Sequence, residues 1–72
     1  MKKLNSREIE IIQRSANGCT AKEIARMTGL EHRTVESYMA TIRKKLGARN
    51  IAHAVYIAYT ARVVSDMTMA NQ

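Results

Sequence analysis

Seventy-two residues make one small domain, of a size that buries only about 60% of the surface its unfolded chain exposes. A net charge of +6, from 12 Lys and Arg against 6 Asp and Glu, suits a polyanion such as nucleic acid or an anionic surface. One cysteine, Cys19, excludes an intrachain disulfide and suits a reducing, cytoplasmic compartment.

Lys2 and Lys3 run into polar residues rather than the apolar core of a secretory leader. The most apolar stretch, residues 51–64, is interrupted by His53, Thr60 and Arg62 and falls short of the length a bilayer span needs. There is no proline, Phe or Trp, and no stretch alternates with the period of a strand. The expected class is all-α, a compact four-helix bundle over residues 4–64 with a flexible tail at 65–72.

The first helix is expected from about Ser6 to Ala16. Asn5 is its N-cap, and Glu8 three residues on completes a capping box. Ile9, Ile12 and Ala16 form the apolar face with Ile11 beside it, and Gly18 ends the helix. The second runs from about Ala21 to Thr28, opened by the capping box of Thr20 and Glu23. Ile24 and Met27 are expected to face inward, and Ala25 allows close packing. Gly29 stops the helix, and Leu30 returns to the core.

The third helix is expected from about His32 to Leu46 and ends at Gly47. Glu31 is a weak N-cap, although its charge suits the helix dipole. Val35, Met39, Ile42 and Leu46 recur at helical spacing, with Tyr38 at the edge of the stripe. The opposite face carries Arg33, Ser37, Ala40 and Lys44, flanked by Glu36 and Thr41. The fourth runs from about Ile51 to Val64 behind Asn50. Ile51, Ala54, Val55 and Ala58 share one face, with Ala52, Tyr56 and Tyr59 to the sides. Residues 66–72 are polar and Met-rich and are expected to fray.

A short capped helix, a turn containing glycine and a second amphipathic helix with a basic end together form the pattern of a helix-turn-helix. In such a unit the second helix lies in the major groove of DNA. Further residues then carry a resemblance to a family. They are Leu4 with Arg7-Glu8, Gly18, Lys22-Glu23-Ile24-Ala25, Gly29-Leu30, Arg33-Thr34-Val35, Ile42, Lys45-Leu46-Gly47 and Ala54-Val55. At these spacings the chain resembles the LuxR-type DNA-binding domain, the four-helix module of FixJ- and GerE-like regulators, over about residues 4–59. The resemblance implies that the second and third helices contact DNA and that the fourth makes a dimer contact.

Departures from the family pattern are Thr28 for a usual Leu, Glu31 where Ser often caps, Tyr38 for a frequent His, and Arg14 and Ser15 within an apolar run. The first and last imply local repacking of the core. Family members usually carry a sensory or receiver domain before this module. With a native-looking start and no tag, the chain is expected to be a stand-alone regulator rather than an excised domain.

Base-edge contacts fall to Arg33, Glu36, Ser37 and Ala40, on the N-terminal half of the third helix. Arg33 has the fork that fits guanine, Ser37 pairs with several bases, and Glu36 accepts from cytosine N4. Phosphate contacts fall to Thr20, Lys22, Thr34, Thr41, Lys44 and Lys45. The plainer readings are that Thr20 is only a cap, that the lysines are a solvated face, and that Glu36 pairs within the helix with Arg33. Dimer contacts fall to Ala52, Val55, Tyr56 and Tyr59, unless the tyrosines only cap the monomer's core.

His32 and His53 stand at no metal-ligand spacing, and Cys19 has no resolving cysteine, so no metal, cofactor or redox role is expected. No Gly-rich phosphate loop, carboxylate pair or activated nucleophile is present, so an enzyme is not expected. The expected function is sequence-specific transcriptional regulation by a dimer on double-stranded DNA, with RNA polymerase as a further partner if the chain activates. The rival is an antiactivator that forms a heterodimer with a full-length LuxR-type regulator and blocks its DNA binding. A membrane partner is disfavoured, because the basic residues are spread over the helices rather than gathered on one face.

Overall fold

The computed structural model describes residues 3–61. They form four helices: α1 (Ser6–Ala16), α2 (Ala21–Thr28), α3 (His32–Leu46) and α4 (Ile51–Thr60). No strand occurs among the described residues, and the all-α expectation holds. The helix starts are fixed by side-chain caps, as the sequence implies. Asn5 Oδ1 accepts from the Glu8 N–H at 2.9 Å while the Asn5 N–H donates to Glu8 Oε1 at 2.8 Å. Thr20 and Glu23 form the same reciprocal pair at α2, and Asn50 Oδ1 accepts from the His53 N–H at α4. Glu31 makes no side-chain cap at α3. Each such cap satisfies backbone N–H groups that have no partner inside the helix.

The turn between α2 and α3 needs a left-handed residue, and Gly29 supplies φ +75 there. Thr28 acquires a reason at the same place. Its hydroxyl donates to the Ile24 carbonyl at 2.7 Å and lies 3.4 Å from the Leu30 N–H, so it spans the end of the helix and the turn.

The core is Leu4, Ile11, Ile12, Ile24, Ala25, Val35, Ile42, Leu46, Ala54 and Ala58. Its largest fully buried side chains are Ile11 and Ile12 from α1, Ile24 from α2, and Val35 and Ile42 from α3. Each contributes about 1.5–3 kcal/mol relative to an exposed position. Because three helices converge on these side chains, the roll of α3 about its axis is set by Val35 and Ile42. α4 packs on α1 and α3 through Ala54 and Ala58, which carry too little bulk to hold the helices apart.

Two expectations are corrected. The buried face of α1 runs through Glu8, Ile11 and Ile12, whereas Ile9 and Ala16 are only half-buried. Leu4 and the pairing of Glu8 turn the helix that way. Met27 does not face inward and is 54% exposed. α2 has a narrow inner face of Ile24 and Ala25, and Met27 lies over the α1–α2 junction. There its Sδ is 3.8 Å from Arg14 Nη1 and 4.0 Å from Cys19 Sγ. Arg14 is in turn paired with Glu10 at 3.1 Å, which accounts for a charged residue in that part of α1. α4 ends at Thr60, with Ala61 as its cap. The expected last turn at residues 62–64 and the expected flexible tail at 65–72 lie outside the described residues.

Candidate nucleic-acid interface

The burial of Val35, Ile42 and Leu46 leaves the other side of α3 to solvent. Arg33, Glu36, Ser37, Thr41 and Lys44 are exposed, and Thr34 and Ala40 are half-buried. These side chains therefore share one accessible helix surface, which α2 and the Gly29 turn flank. Thr34, Ser37, Tyr38 and Thr41 line a shallow groove along it, so three hydroxyls and a phenol border the surface. Tyr38 also packs against the core. A second groove, towards α4, is lined by Glu36, Met39, Arg43, Asn50 and Ile51.

Thr20 and Lys22 are exposed at the start of α2. The Thr20 hydroxyl is engaged as a cap, accepting from the Glu23 N–H at 3.2 Å. The Thr20 N–H and then its hydroxyl hold the Glu23 carboxyl below its ordinary value. That carboxylate stays ionised and tied to the helix start, beside the lysine.

Two site expectations change. Lys45 is turned away from the exposed side of α3. Its Nζ lies 2.7 Å from Glu8 Oε1 and 3.5 Å from the Lys3 carbonyl, and Glu8 is only 2% exposed. An ammonium on a buried carboxylate has its partner within the protein, unlike the exposed Lys22 and Lys44. Glu36 pairs with His32, not with Arg33: His32 Nε2 is 3.5 Å from Glu36 Oε2. Side chains three and four apart are both neighbours on a helix surface, and here the four-apart contact is the one formed. Among the described residues Arg33 has no ion pair, so its guanidinium is uncommitted.

On α4, Ala52, Tyr56 and Tyr59 are exposed, the tyrosines by 66% and 41%. With Val55 they follow an i, i+3, i+4, i+7 stripe beside the buried Ala54–Ala58 face. Val55 is half-buried against the core and presents less of itself. Neither tyrosine is among the side chains in the core or the partly buried ones packed against it. His53 Nδ1 accepts from the Arg49 N–H at 3.1 Å, which gives it a local structural contact. No group of three or more metal-ligating side chains occurs among the described residues. Likewise, no helix there is long and apolar enough to cross a membrane.

Sequence reasoning missed two participants. The sequence marks Glu8 as a capping residue and part of the family pattern but not as the partner of Lys45, and His32 only as a non-ligand of metal. The four-residue spacing of His32 and Glu36 was the available signal for the second. The first had no local signal.

Two helices joined by a tight glycine turn, with the second presenting polar and basic side chains to solvent, define a helix-turn-helix DNA-binding domain. The chain belongs to the luxR family of bacterial regulatory proteins, whose GerE model matches residues 2–58. It is 36% identical over 63 residues to the transcriptional activator protein BjaR1 of Bradyrhizobium diazoefficiens, covering 88% of this chain and 26% of that one. It is 38% identical over 58 residues to the response regulator RamR of Streptomyces coelicolor, covering 81% of this chain and 29% of that one. The fold superposes on a chain of the Vibrio cholera VqmA–ligand–DNA complex with a TM-score of 0.82 at 32% identity, over 90% of this chain and 28% of that one. The chain thus spans between a quarter and a third of the length of these proteins. The family is one of transcription regulators rather than of enzymes.

Proposed function

We propose that this domain regulates transcription in the cytoplasm by binding double-stranded DNA as a dimer, with α3 in the major groove. Arg33, Glu36, Ser37 and Ala40 face base edges. Thr20, Lys22, Thr34, Thr41 and Lys44 face phosphates, and Lys45 leaves that set for its bond to Glu8. The observation that carries the reading is the orientation of α3: Val35 and Ile42 are buried, while Arg33, Ser37 and Lys44 on the opposite side are exposed. The exposed stripe of Ala52, Tyr56 and Tyr59 supports pairing of two protomers through α4. Repression requires only occupancy of a promoter. Activation requires in addition a surface that meets RNA polymerase.

The exposed Glu36 carboxylate favours a second reading. A negative charge on the DNA-facing side repels phosphate, and the free α4 stripe fits a heterodimer with a full-length relative, whose DNA binding it would block. A mobility-shift assay on genomic fragments at fixed salt separates the two. Retarded complexes with selected fragments support the regulator. Absence of any complex, together with loss of a relative's complex on mixing, supports the antiactivator.

A further inference from the structure

We propose that Tyr38 is a further phosphate contact: its hydroxyl joins those of Thr34 and Thr41 in holding one DNA strand's backbone along one flank of α3. The proposal rests on the reading of α3 as the helix in the major groove and adds the flank by which that helix grips a strand.

Thr34, Tyr38 and Thr41 stand at i, i+4 and i+7 and line one shallow groove, with Ser37 at its margin towards the base-reading side. Among the described residues, none of these hydroxyls has a hydrogen-bond partner. Other threonines of the domain behave differently. The Thr28 hydroxyl donates to the Ile24 carbonyl at 2.7 Å, and that of Thr60 to the Ile57 carbonyl at 2.9 Å. Such back-bonding is a common fate of a hydroxyl on a helix. Thr34 and Thr41 are not spent in this way and keep their donors. Tyr38 packs against the core and lines the groove as well, so its ring is held while its hydroxyl stays unpaired.

A phosphodiester is an anion that only accepts hydrogen bonds, and Ser, Thr and Tyr hydroxyls are common donors to it. No carboxylate lines this groove to repel it. The single carboxylate of α3, Glu36, is two residues from both Thr34 and Tyr38. At about 100° per residue that places it on the far side of the helix from both, where it lines the groove towards α4. A helix in the major groove has a strand of phosphates on either flank. The hydroxyl flank is the one that meets a strand without a like charge between them. These donors are neutral, so they add affinity without displacing counterions, unlike Lys22 and Lys44.

The test compares the wild-type chain with Tyr38→Phe and Thr41→Val on a duplex that the wild type retards. Each substitution removes a hydroxyl and nearly keeps the side chain's shape, and circular dichroism and thermal melting confirm the fold. Tyr38→Phe should bind about tenfold more weakly per half-site, on all sequences alike, with the salt slope unchanged. Ethylation of one phosphate per half-site should weaken the wild-type complex and add no further loss to Tyr38→Phe, whose contact there is already gone. Thr41→Val should show the same behaviour at a phosphate of the same strand.

Wild-type affinity in Tyr38→Phe overturns the proposal. So does a loss confined to particular sequences, which would make the phenol a base reader, or a loss with every ethylated phosphate still interfering. If Tyr38→Phe melts early, Thr41→Val, at an exposed position, decides: wild-type affinity there overturns the shared flank. Failure of the underlying reading looks different. The wild type would then show no interference from guanine N7 methylation, whatever Tyr38→Phe does, and both statements would fall.

Discussion

Lys45 Nζ lies 2.7 Å from Glu8 Oε1, which ties the last turn of α3 to the capping box that starts α1. The carboxylate is buried and the ammonium half-buried. Removing one partner leaves the other charge unpaired in a place with little water. Lys45→Met is expected to destabilise the domain by about 2 kcal/mol or more, measured by urea unfolding. Its effect on the salt dependence of DNA binding should be nil, since Glu8 already holds its ammonium. A reduced salt slope with unchanged stability would return Lys45 to the DNA surface.

The same pair makes stability depend on pH. Burial alone would raise the Glu8 pKa. The Lys45 hydrogen bond, the Asn5 N–H and the Lys45 charge outweigh it and hold the carboxyl below its ordinary value of 4.5. The folded pKa is thus below the unfolded one, and the unfolded chain takes up the proton first as pH falls. The contribution of Glu8 is fully present above pH 4.5 and is lost as pH falls through the folded value. In urea melts, the stability gap between the wild type and Glu8→Gln should be constant from neutrality to about pH 5 and should narrow below it. A gap that widens on acidification would show the shift to have the opposite sign.

Each phosphate neutralised adds roughly −0.9 to the slope of log K against log salt, so the dimer's slope should be about −5 or steeper. Lys22→Ala and Lys44→Ala should each flatten it and weaken all sequences alike. Arg33→Ala should instead change which sequences are preferred. A wild-type slope near zero would mean that the +6 charge is not a DNA footprint.

The exposed stripe of α4 should govern cooperativity. Ala52→Glu or Tyr56→Glu places a charge in the stripe without touching the buried Ala54 and Ala58. Such variants should keep the helical circular-dichroism spectrum and lose cooperative binding to a site with two half-sites. Unchanged cooperativity would place the dimer contact elsewhere.

What was legible in the sequence and what was not divides by distance along the chain. Asn5–Glu8, Thr20–Glu23 and Asn50–His53 are bonds between residues three apart, so residue type and spacing suffice to read them. The stripe of Val35, Ile42 and Leu46 is equally local, and with it the exposed side of α3. Lys45 was misplaced because its partner is 37 residues away. A lysine near the end of a basic helix reads the same whether it turns to solvent or to a buried carboxylate. The inner face of α1 and the exposure of Met27 likewise depend on how α1, α2 and the Cys19 turn meet. Periodicity within one helix does not encode that.

The central claim is that α3 enters the major groove, and methylation interference tests it most directly. Guanine N7 lies on the floor of the major groove, and a methyl group there obstructs any helix seated above it. On a duplex retarded by the wild-type chain, the expected result is interference at guanines in two clusters, separated by about one helical turn or a multiple of it. Arg33→Ala should weaken that interference within each cluster. Complexes that form equally well on N7-methylated duplexes would contradict the claim, because no recognition helix would then occupy that groove.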